Sequence, residues 1–136
     1  MPKTRAITQG VHHVGLTVPD IDATGRFFID VLGYQQVGEI PEYPAVILSD
    51  GVGRITLWQV QDPSRAGPFN HKRVVGLHHL ALRVAAEDLD PLCSRLMETE
   101  GVAIEFEPEY LGAGPTRHMM FFIPGGIRME LIAPAV

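Results

Sequence analysis

Apolar and polar residues alternate at period two in two short stretches of this chain, and the two stretches are near copies of each other. Residues 10–18 read GVHHVGLTV and residues 76–84 read GLHHLALRV. Strict alternation marks a half-buried strand. Val14, Leu16 and Val18 form one face of the first strand, and Leu80, Leu82 and Val84 form the matching face of the second. A helical pattern follows each copy. Asp20 can cap a helix that runs through Ile21, Phe27, Phe28 and Val31 and stops at Gly33. Asp88 can cap a second helix, with Leu89, Leu92 and Leu96 on one stripe and Gly101 past its end, which puts Pro91 in the tolerated first turn.

Three more strands are expected after each helix. In the first half they cover Gln35–Ile40, Ala45–Ser49 and Arg54–Gln59; in the second they cover 103–107, 118–123 and 127–133. Gly51 and Gly53 punctuate one hairpin and Gly125-Gly126 closes the other. Residues 62–73 hold two prolines, a glycine and several polar residues, and read as a linker. The fold class is therefore α+β: one domain over 1–136, made of a βαβββ module at 8–61, the linker, and a second βαβββ module at 74–134.

Composition narrows the function classes. A chain of 136 residues suits one domain. Eleven basic against sixteen acidic residues give a net charge of −5, which disfavours a nucleic acid or an anionic membrane as partner. The single cysteine, Cys93, permits neither an intrachain disulfide nor a Cys-based zinc site; on the second helix it is expected to be a buried small hydrophobe. With no signal-peptide pattern at the start and no long apolar run, the cytoplasm is the expected location.

The repeat also organises the candidate chemistry. His13 and His79 occupy equivalent positions on the strand face opposite the apolar set, beside the small residues Gly15 and Ala81. His12 and His78 fall on the other parity and read as structural. Overlaying the final strands matches Arg54-Ile55-Thr56-Leu57 with Arg128-Met129-Glu130-Leu131, so Glu130 is the counterpart of Thr56. A carboxylate in so apolar a strand needs a cation or several donors. Two imidazoles and one carboxylate suit a first-row divalent metal with coordination positions left open. His13, His79 and Glu130 are the candidate ligands.

With these residues in hand, the HHVGLTVPD opening, the GLHHLALRV repeat and the PGGIRMEL ending resemble the vicinal oxygen chelate superfamily, from about residue 10 to 133. Its members include glyoxalase I, extradiol dioxygenases, fosfomycin-resistance enzymes and bleomycin-resistance binding proteins. The resemblance implies a cup-shaped, incomplete β-barrel with its helices outside, around a metal that chelates a small substrate. It places the family's ligand slots at His13, Thr56, His79 and Glu130. It also implies a homodimer, in which the cup can be assembled from modules of both subunits. Thr56 departs from the pattern of glyoxalase I and of methylmalonyl-CoA epimerase, another member, which fill this slot with a ligand side chain, because a hydroxyl is a weak ligand and no base. A three-ligand set favours extradiol-type oxygen chemistry on Fe2+, with Ni2+, Zn2+ or Mn2+ as other metals. A glyoxalase-type lyase or isomerase and a metal-free bleomycin-resistance-type module are the alternatives; fosfomycin resistance is disfavoured by Gly15.

Around the metal, His118 and Arg117 are candidates for acid–base work or carboxylate binding. Thr56, Trp58, Arg83 and Met120 are candidates for substrate contact, Met120 standing where the extradiol enzymes carry a tyrosine. Glu39 and Glu42 are candidate bases only if their loop closes on the site.

Overall fold

A computed structural model describes residues 5–134 of the chain. The first module runs β1 (His13–Val18), α1 (Ile21–Arg26), β2 (Gln35–Ile40), β3 (Ala45–Ser49) and β4 (Arg54–Gln59). The second runs β5 (Leu80–Arg83), α2 (Ala86–Met97), β6 (Ala103–Tyr110), β7 (Arg117–Phe122) and β8 (Arg128–Ala133). Each module folds its strands into one four-stranded sheet, in the order β1-β4-β3-β2 and β5-β8-β7-β6. The first strand of each lies parallel to the last, and the other pairings are antiparallel. Gly15 stands opposite Thr56 and Ala81 opposite Glu130. The register thus makes Thr56 and Glu130 equivalent, as the overlay of the repeats implied.

Alternation puts Leu16 and Val18 in the core and leaves His13, Gly15 and Thr17 on the other face. The Asp20 carboxylate caps α1 by accepting from the N–H groups of Asp22 and Ala23, both at 3.1 Å. A π-helical turn at Phe27–Val31 widens the end of that helix and turns both Phe27 and Phe28 inward. Gly33 then leaves it at φ 81°, a conformation glycine adopts without strain.

Two details of the second helix differ from expectation. It begins at Ala86 after Ala85, with no side-chain cap, because the chain leaves β5 still bonded to β8 through Val84 N–H and the Ile132 carbonyl. Asp88 sits in the first turn instead, where its charge still favours the helix dipole. Pro91 therefore lies inside the helix, where it cannot donate the usual bond to the Glu87 carbonyl. Leu89, Cys93 and Leu96 are the buried stripe. β6 reaches Tyr110 rather than 107; as an edge strand with irregular register it tolerates Pro108.

One hydrophobic core joins the modules, with Leu16, Phe27, Phe28 and Leu57 packed together with Leu89, Met119, Phe121 and Leu131. Phe27 and Phe121 face each other across the divide, their ring centroids 6.4 Å apart. The Thr24 hydroxyl donates to the Pro124 carbonyl at 3.4 Å, and an Arg95 N–H donates to the Val31 carbonyl at 3.0 Å. Burying one phenylalanine as completely as Phe28 contributes about 2–3 kcal/mol, so this shared core is the main force holding the modules together.

Candidate functional site

On the face of the second sheet opposite the core, three strands bring polar side chains together. Glu130 lies on the central strand β8, is 9% exposed and is flanked by the buried Met129 and Leu131. Its Oε2 is 2.5 Å from His118 Nδ1, reached diagonally from β7. Its Oε1 is 3.5 Å from His79 Nε2, just before β5. Met120 is directly opposite Glu130 and buried. Phe106 packs edge-on to the His118 ring at 5.2 Å, and Glu109 Oε1 stands 3.9 Å from His118 Nε2, too far for a hydrogen bond.

The tandem histidines repeat in three dimensions as they do in sequence. Nδ1 of His12 and Nδ1 of His13 are 3.0 Å apart; those of His78 and His79 are 2.9 Å apart. Read as structural, His12 and His78 in fact hold their neighbours' rings. A histidine that donates its Nδ1–H in this way has its Nε2 lone pair fixed in direction. His79 Nε2 faces Glu130 Oε1.

Beyond the histidine pair, Arg128 forms a two-pronged ion pair with Glu105, Nε to Oε1 at 2.8 Å and Nη2 to Oε2 at 2.6 Å. The Arg128 bond holds the Glu105 carboxyl below its ordinary value. His71, from the linker, meets His78 edge-on and Phe122 at a tilt, and partial burial followed by the Arg128 charge lowers its pKa.

The equivalent face of the first sheet carries His13, Gly15, Thr56 and Trp58. The Trp58 indole N–H donates to the Thr56 hydroxyl at 3.0 Å, and that hydroxyl is 3.5 Å from the Val14 carbonyl. Tyr43, from the turn after β2, meets the indole edge-on at 5.8 Å.

The structure brings His79, His118 and Glu130 together and keeps His13, Thr56 and Trp58 on the other sheet. Among the described residues no group of three or more His, Cys, Asp or Glu side chains is arranged to hold a metal. Arg117 is turned to the helix, bonded to Asp90 through both Nη atoms at 2.9 and 3.1 Å. Arg83 lines a groove with Asp88 and Arg95 of α2 and the end of the first helix. Glu39 and Glu42 are exposed. Cys93 is buried, and burial pushes its thiol pKa up. Sequence reading missed Tyr43, Glu105 and Glu109, whose partners lie on other strands.

Two sheets of this topology, with equivalent residues at the same register, are the frame of a known family, whose model matches residues 10–131. The chain belongs to the Glyoxalase/Bleomycin resistance protein/Dioxygenase superfamily. Among its relatives is a 2-epi-5-epi-valiolone epimerase of Actinomyces, 28% identical over 90% of this chain and 78% of that protein. Among solved structures, a glyoxylase/bleomycin resistance protein/dioxygenase domain from Frankia superposes with a TM-score of 0.80 at 26% identity, covering 94% and 93% of the two chains. The fosfomycin resistance protein FosX of Listeria monocytogenes, solved with Mn(II), shares the fold: TM-score 0.73, 18% identity, 96% and 94% covered. No helix among the described residues is long and apolar enough to cross a membrane.

Proposed function

We propose that this protein is a metal-dependent epimerase or isomerase. It would move a proton on a small hydroxylated ketone chelated through neighbouring oxygens, and it would work as a homodimer. The observation that carries this reading is the seating of Glu130, a buried carboxylate with one imidazole on each oxygen. The donor set fits a first-row divalent cation. Adjacent ligands at about 2.0–2.2 Å from a metal lie roughly 3 Å from each other, close to the 3.5 Å between His79 Nε2 and Glu130 Oε1. His13, prepared by His12 as His79 is by His78, would be the third ligand, supplied by a second copy. It opens β1, which among the described residues is an end strand of its sheet.

When bound, the cation would draw charge from two substrate oxygens and so acidify the neighbouring C–H. His118 would orient the carboxylate by donating Nδ1–H to Glu130, while its Nε2 faces Glu109. Met120 and Phe106 would exclude water beside it. The kinship with an epimerase agrees with this class of reaction.

Extradiol-type oxygen chemistry on Fe2+ would use the same three ligands. It is the weaker reading, because Met120 offers a thioether where those enzymes present a phenol. A metal-free binding module would leave the His79–Glu130 pair without a use.

The test is metal content of anaerobically purified protein, followed by turnover of hydroxyketones and of catechols after adding Mn2+, Ni2+, Zn2+ or Fe2+. His79→Ala should abolish stoichiometric metal binding, whereas His78→Ala should weaken it by about 10–100-fold. Mixing His13→Ala with His79→Ala protein should restore about a quarter of the sites by subunit exchange, if copies share them. Full metal retention in His79→Ala sinks the ligand set, and catechol cleavage without hydroxyketone turnover sinks the epimerase reading.

A further inference from the structure

The slot equivalent to Glu130 in the first module is not open. A Cβ added to Gly15 would lie 3.1 Å from the Thr56 hydroxyl, 3.3 Å from Trp58 Nε1 and 3.7 Å from Trp58 Cδ1. The pyrrole side of the indole therefore lies back over Gly15, where a side chain would press on Thr56 and the indole. Thr56, 8% exposed, serves as the anchor: its oxygen accepts the indole N–H at 3.0 Å. Ala45 is the cross-strand partner of Trp58 and its small side chain is buried. Tyr43 braces the indole edge-on from the turn. The position that could have carried a fourth ligand is spent on fixing the orientation of a half-buried aromatic ring. That ring shares one sheet face with His13, so it accompanies His13 into any site that His13 completes.

We infer that Trp58, positioned by Thr56 and braced by Tyr43, is a platform for the C–H face of a cyclic, hydroxylated substrate, one whose vicinal oxygens point away from the ring toward the metal side. This rests on the proposed chelating site and names its substrate class. The face of an indole is the negative part of its quadrupole. The C–H groups of a polyhydroxylated ring are polarised positive by their oxygens, and a saturated ring presents several of them on one side. An open-chain hydroxyketone could be chelated equally well but would cover little of the platform. Apolar walls with a few convergent polar groups are the usual composition of a small-molecule site.

Trp58 is the only tryptophan in the chain, so its emission reports on this position alone. Mn2+-loaded protein would be titrated with cyclic 2-epi-5-epi-valiolone and with open-chain erythrulose, following fluorescence and, independently, heat of binding. The cyclic ketone should change Trp58 emission saturably and bind at least tenfold more tightly than erythrulose. Trp58→Ala should lose that preference while keeping its metal stoichiometry, and Trp58→Phe should keep part of it. Thr56→Val should shift the emission and cut the preference several-fold, and Thr56→Ser should restore both. No emission change with saturating cyclic ketone, or an unchanged preference in Trp58→Ala, overturns the platform. An emission change without turnover leaves the platform standing and overturns the epimerase reading alone.

Discussion

Removing the Arg128 guanidinium should destabilise the protein by about 1–2 kcal/mol at neutral pH. Its two bonds to Glu105, at 2.8 and 2.6 Å, are charge-assisted and parallel. Loss of a hydrogen bond to a charged group typically costs about 1.5–3 kcal/mol. The Glu105 side chain is 32% exposed, so water recovers part of that loss and screening reduces it further. Arg128→Met keeps the packing of the stem and deletes the charge. Glu105→Gln and the double variant complete a cycle that isolates the pair from other effects. With a urea slope of about 1–3 kcal/mol per M, the midpoint of Arg128→Met should fall by about 0.5–1 M, read from Trp58 emission. The coupling should also depend on pH in one direction. Arg128 holds the Glu105 carboxyl low, and a carboxylate depressed in the folded state stabilises the fold above its unfolded pKa of about 4.3. That contribution is lost as pH falls through the lower, folded value. A cycle energy of zero at neutral pH would refute the reasoning, as would full coupling persisting in strong acid. The Arg117–Asp90 pair has similar geometry but a 64% exposed carboxylate, and it should contribute far less.

Other expectations concern the joints of the fold. Gly125 and Gly126 have φ of 101° and 95°, so alanine at either should cost about 1–2 kcal/mol of backbone strain. Only at Gly125 would the new Cβ also meet Pro19 Cδ of the first module, at 2.8 Å. Gly125→Ala should therefore melt several degrees below Gly126→Ala, and equal Tm values would show that the hairpin does not press on Pro19. Asp20→Ala should cost about 1 kcal/mol through loss of the cap, and Asp88→Ala should cost less because Asp88 caps nothing. Thermal melts of the two variants side by side would show equal losses if Asp88 capped its helix as Asp20 does.

The repeat made most of the fold legible, because a nine-residue match fixes strand parity twice and places the following elements by analogy. Three strands of the first module fall where periodicity predicts them. At the start of the second helix a carboxylate before an apolar stripe looks like a cap, whereas Val84 remains tied to β8 and the helix starts two residues before Asp88. The extension of β6 past Pro108 was hidden for a similar reason: only its edge position makes the proline acceptable. Parity put His79 and Glu130 on one face, and proximity of the strands did the rest. Parity could not reveal that Glu130 would be shared with His118, nor that the Thr56 hydroxyl would be claimed by an indole two residues away. Those contacts depend on rotamers and on diagonal neighbours across strands, which a linear pattern does not encode. His13, equivalent to His79 in every linear respect, is nevertheless on the other sheet.

The strand ladders stay within each module, four strands each, and the modules meet through side-chain packing and a few isolated bonds. Selection or engineering can therefore treat the sheets as separate pages. Exchanging Trp58, Tyr43 or Ala45 alters the first sheet's open face without moving a backbone bond that seats Glu130. A library confined to those three positions could retune which ring is accepted while the carboxylate and its histidines stay as they are.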